Sequence, residues 1–125
     1  MGVRLLILLV ISMGAAGVVR GDDAAAIDKL IADINAGIKA NKERMIRIII
    51  INTDVAATTL DAERRRTGFT YGDVYVAHSL AMASHKSFDQ IAAMKSGGRS
   101  WSQVAKTLNV SLKGSTAMLK EMLKE

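Results

Sequence analysis

One local pattern recurs three times in the second half of this chain: Thr70-Tyr71-Gly72-Asp73, Ser87-Phe88-Asp89-Gln90 and Ser100-Trp101-Ser102-Gln103 each set a hydroxyl residue three places before an acid or amide. In this capping-box spacing the hydroxyl accepts from a backbone N–H of the first helical turn, and the acid or amide reaches back to the N–H of the cap residue. Starts placed so close together leave room for short helices and little else. The stops agree, because Gly68, Gly97-Gly98 and Asn109 stand where a helix wants a left-handed residue after its last turn. The chain holds no Pro, so its breaks fall to Gly, Asn and the capping hydroxyls. The spacing predicts helices over 71–84, 88–96, 101–108 and 114–124. Trp101, Val104, Ala105 and Leu108 form one inward stripe; Met118, Leu119, Met122 and Leu123 form another, with Lys120, Glu121, Lys124 and Glu125 outside.

The first half gives weaker punctuation. Asp22-Asp23 opens a stretch in which Ile27, Leu30, Ile31, Ile34 and Ile38 keep the spacing of one helical face, with the acids placed favourably for the helix dipole. Asn41 begins a second stretch, Lys42 to Asn52, that contains Ile48-Ile49-Ile50-Ile51. A run of β-branched residues suits a strand. No other segment alternates as a partner strand would, and a lone strand leaves its backbone unpaired, so a buried helix is expected. Asp54 is read as the cap of a third helix that reaches Arg66 and is closed by Gly68.

Residues 1–21 carry a different pattern. Met1 to Arg4 is a short positive start, Leu5 to Met13 is apolar apart from Ser12, and Gly14-Ala15-Ala16-Gly17 supplies small residues. This is the three-part form of a secretory signal peptide, with cleavage after Gly17 or after Gly21. As a permanent anchor, Leu5 to Val19 falls short of the roughly 20 apolar residues a spanning helix needs. The expected organisation is therefore a signal peptide, 1–21, and one helical domain, 22–125, in which 22–66 holds the N-terminal helices and 67–125 the capped helices. Removing 1–21 takes away Arg4 and Arg20, so the net charge of +5 falls by two. A pI near 9.7 then stops pointing to nucleic acid.

Composition restricts the chemistry. With no Cys there is no thioether-linked haem, no Cys-ligated cluster or zinc and no Cys nucleophile. His78 and His85, seven apart on or just past one helix with Asp89 beyond, are weak candidates for metal ligands; a solvent-facing His78 and a His85 in a cap region are the simpler expectation. No GxSxG elbow, SxxK pair or P-loop frame is present. Gly97-Gly98-Arg99-Ser100 reads as a helix–helix turn. Arg64-Arg65-Arg66 is the densest basic run; it suits a helix C-terminus and could also meet an anionic partner. Phe69, Tyr71, Tyr75, Phe88 and Trp101 lie near helix starts and should staple helices to the core rather than interleave with cations.

From Trp101 onward the chain is also similar to a DNA-binding helix-turn-helix, with Ala105 small where two helices cross, and it departs from that pattern at Asn109 and Gly114. The block from Thr67 to Leu112 resembles the C-terminal part of a group of small exported bacterial proteins of uncharacterised function. Its matching residues are Gly68, Tyr71, Gly72, Asp73, Ala77, Leu80, Ala81, Lys95, Ser96, Gly97, Trp101, Val104 and Ala105. The resemblance implies a bacterial, extracytoplasmic helical domain and brings no catalytic residue with it.

The expectation is thus an all-α protein, a small multi-helix orthogonal bundle behind an N-terminal signal helix, periplasmic or secreted after cleavage. It is expected to be non-enzymatic, with a binding or structural role in the bacterial cell envelope toward an unknown protein or envelope component. No catalytic residue, cofactor or nucleic-acid partner is expected, and membrane contact is expected only through the signal segment before cleavage. An exposed Met118 to Leu123 stripe would favour a homo-oligomer. The alternatives are a helix-turn-helix DNA-binding protein, if the N-terminal segment is not an export signal, and an envelope hydrolase, if His78 or His85 meets a Ser or carboxylate in a polar cleft.

Overall fold

A computed structural model describes residues 21–124 of the chain. The leader expected at 1–21 lies outside the described residues, apart from Gly21. Among them the chain is all-helical, with no strand: α1 (Gly21–Ala40), α2 (Lys42–Thr53), α3 (Ala57–Thr67), α4 (Tyr71–Ser84), α5 (Phe88–Ser96), α6 (Trp101–Leu108) and α7 (Lys113–Leu123). They form a small helical bundle. No helix among the described residues is long and apolar enough to cross a membrane.

The centre of the bundle is α4, which packs against α1, α2, α3, α5 and α6. Its sequence explains this position, because Val74, Tyr75, Val76, Ala77, Leu80 and Ala81 cover most of its circumference and all are buried. A helix apolar on so many sides is stable only when surrounded. The first contact is close. A Cβ added to Gly72 would lie 2.7 Å from the Ile31 carbonyl oxygen, and the Gly72 N–H donates to Asn35 Oδ1 at 2.9 Å. Glycine here lets the start of α4 touch the backbone of α1.

All three capping boxes form, with Thr70 and Asp73 at α4, Ser87 and Gln90 at α5, and Ser100 and Gln103 at α6. The stops also form, with one shift: Gly68 (φ 78°) and Asn109 (φ 57°) take the left-handed conformation, while in the glycine pair Gly98 (φ 93°) takes it and Gly97 does not. The isoleucine run is helical. Asn41 caps α2, accepting from Arg44 N–H at 3.1 Å, and the run wraps round the helix, burying Ile48 and Ile49 while Ile51 is 69% exposed.

Two expectations fail. Asp54 does not start α3; it ends α2 in the left-handed region (φ 58°), its N–H donating to the Ile50 carbonyl, and α3 begins after Ala56 with no side-chain cap. An Asp tolerates this conformation well enough to serve at either end of a helix, so its identity alone does not choose. The Met118 to Leu123 stripe faces inward except at Met118. Leu119 is fully buried and Met118 is 58% exposed, because Leu112 and Leu119 seat α7 while Arg44 donates to the carbonyls of Met122 and Leu123. Met122 and Leu123 are partly buried against the core.

Candidate functional site

The polar side chains that the fold brings together gather where the last turns of α3 meet α4 and the start of α5. A helix repeat of 3.6 residues sends Asp61 and Glu63, two positions apart on α3, to different neighbours. Glu63, only 8% exposed, lies 2.6 Å through Oε1 from Nε2 of His78. His78 stacks on Phe88 with ring centroids 4.7 Å apart. Arg66 lies over the same Phe88 ring at 5.9 Å and pairs with Asp89 at 3.0 Å. A continuous series of contacts, Glu63 to His78 to Phe88 to Arg66 to Asp89, thus joins α3, α4 and α5.

His78 is therefore not solvent-facing. Its side chain is as enclosed as that of Glu63, because an apolar core on one side of α4 and the stacked Phe88 leave the imidazole a single carboxylate to meet. His85 occupies the expected cap region, closing α4 in the left-handed conformation (φ 59°). It is exposed and does not join His78. No group of three or more His, Cys, Asp or Glu among the described residues could hold a metal ion. A carboxylate that orients an imidazole is half of a general-base arrangement. Among the described residues no hydroxyl hydrogen-bonds to His78.

Asp61 faces a second cluster. Its Oδ1 accepts from Arg64 Nη2 at 3.1 Å and from the Tyr71 hydroxyl at 3.0 Å, and its Oδ2 accepts from Arg65 Nη2. The Tyr71 hydroxyl, followed by the Arg64 and Arg65 guanidiniums, holds the Asp61 carboxyl below its ordinary value. Tyr71 and then Asp61 raise Arg64 in turn. The Arg64 guanidinium lies over the Tyr71 ring at 5.0 Å, and the Lys42 ammonium lies over it at 5.7 Å. The basic run thus divides two ways: Arg64 and Arg65 go to Asp61, and Arg66 to Asp89 and Phe88.

The aromatics do staple the helices: Phe69 meets Phe88 and Trp101 edge-on at 6.4 and 5.5 Å. They also meet cations that the sequence does not interleave with them, since Lys95 lies over Trp101 at 5.5 Å and Arg66 over Phe88. Asp73 serves twice, closing the Thr70 box and accepting from Trp101 Nε1 at 2.8 Å.

Of these partners, Lys42, Asp61 and Glu63 do not stand out as site residues in the sequence. The spacing of Asp61 to Arg64 and Arg65 is readable as i,i+3 and i,i+4 on a helix. Nothing local links Glu63 to His78, or Lys42 to Tyr71. Scans against protein-family models, curated proteins and solved structures find no match to this chain.

Proposed function

We propose that the chain is an exported, non-enzymatic helical protein with a binding or structural role in the bacterial cell envelope, periplasmic or secreted once residues 1–21 are removed. In this reading it is an orthogonal bundle, akin to the small exported proteins that its Thr67–Leu112 block resembles. The three-part pattern of the first 21 residues supports export. The observation that carries the binding role is the surface where α2, α3 and α4 meet and Lys42, Arg64 and Arg65 gather about Tyr71 and a single carboxylate, Asp61.

N-terminal mass analysis of the native protein, paired with a pull-down from the cell envelope, tests the proposal. A mature chain beginning at Val18 or Asp22 and one reproducible envelope partner are expected. An intact Met1 in the cytoplasmic fraction overturns the reading. That result would favour the DNA-binding alternative.

A further inference from the structure

We infer that the cationic surface around Tyr71 is a binding site for a phosphate group, a reading that deepens the proposed binding role and rests on it. The charge is unbalanced. Lys42, Arg64 and Arg65 bring three positive charges to one place, and Asp61 is the carboxylate that answers them. Lys42 makes no ion pair among the described residues. The local excess matches the double negative charge of a phosphate monoester or inorganic phosphate better than that of a carboxylate.

The hydrogen-bonding capacity is also unspent. Each guanidinium carries five N–H donors in a planar fork suited to tetrahedral oxyanions. Arg64 and Arg65 each give one nitrogen to Asp61. Arg64 Nε is the buried side-chain nitrogen among the described residues that has no acceptor. Being enclosed, that nitrogen is out of reach of an incoming phosphate, so the free donors are the remaining exposed N–H groups of Arg65 and the Lys42 ammonium.

The site is held from three directions. Lys42 stands at the start of α2, Arg64 and Arg65 belong to the last turns of α3, and Tyr71 opens α4. The Tyr71 ring, itself buried, fixes both Arg64 and Lys42. Arg65 is the exposed arm, with its side chain 73% exposed. Asp61 engages both guanidiniums, and an incoming phosphate competes with it.

The test is a titration of the full chain with inorganic phosphate followed by backbone amide NMR shifts, with folding of each variant checked by circular dichroism. Saturable shifts centred on residues 61–72 are expected. Arg65→Gln and Lys42→Gln, both at exposed positions, should each weaken binding about fivefold, the size expected of one partly screened charge. Asp61→Asn should tighten it, because the competing carboxylate is gone; a purely structural cluster would not respond in that direction. Arg99→Gln, in the turn between α5 and α6, should leave binding unchanged.

Flotation with vesicles of phosphatidylcholine containing phosphatidate separates the two sources of phosphate. Retention lost in Arg65→Gln assigns a lipid headgroup, and phosphate shifts without retention assign a soluble ligand. The inference is overturned if phosphate gives no saturable shift, or if Arg99→Gln weakens binding as much as Arg65→Gln. Either failure leaves the export reading to its own mass measurement.

Discussion

The starts of α4, α5 and α6 and the junction between α2 and α3 are built on different principles. At α4, α5 and α6 a hydroxyl and an acid or amide three residues on satisfy the first turn locally. Between α2 and α3 no side chain caps the new helix. What holds α3 in place is tertiary: Glu63 on His78, Asp61 on Tyr71, and Leu60 fully buried. Local devices contribute about 1 kcal/mol each, whereas a close backbone crossing or a buried polar pair involves two or three times that. Folding information in this chain is therefore most visible where it is individually weakest.

This contrast can be broken by mutation. The largest effect is expected at the α1–α4 crossing: Gly72→Val drives a side chain into the Ile31 backbone and should cost about 3 kcal/mol in urea unfolding. An unchanged midpoint would mean that the two helices do not approach as described. Next comes Glu63→Ala, which leaves the enclosed His78 without its acceptor and should cost about 2 kcal/mol; Glu63→Gln, still able to accept, should recover a good part.

Smaller losses belong to the local devices. Ser87→Ala and Ser100→Ala should cost about 1 kcal/mol each and add nearly independently in the double variant. A gain is expected where a cap is missing, since Ala56→Ser supplies an acceptor at the start of α3 and should stabilise by about 0.5 kcal/mol. If it destabilises, tertiary packing rather than an absent cap governs that junction.

The smallest effect is in pH. Burial raises the Tyr75 hydroxyl above its ordinary pKa of 10.0, with the Ser79 hydroxyl partly opposing. A group raised in the folded state gives stability that is full below its unfolded value and lost as pH climbs toward the folded one. Stability should therefore fall above pH 10 in alkaline unfolding, less steeply in Tyr75→Phe.

The readability of the candidate site follows the same division. Arg64, Arg65 and Arg66 are conspicuous as a run, yet their partners differ because successive residues on a helix point about 100° apart. Asp61 could be found from its helical spacing to two of them. Glu63 could not be paired with His78 from sequence, since the two stand fifteen residues apart with a left-handed Gly68 between them. The solvent-facing expectation for His78 failed for the same reason: the enclosing Phe88 comes from another helix.

By itself, the sequence determined the helical class and nearly all helix boundaries, because caps, glycines and 3.6-residue periodicity act within a turn or two of chain. It also carries the positive, apolar and small-residue succession of residues 1–21, which is a property of linear order. Tertiary structure decided which end of a helix Asp54 serves, which way Met118 turns, and which cations share Tyr71 with Asp61. Those outcomes depend on surfaces distant in sequence, and their energies exist only when the helices are already packed.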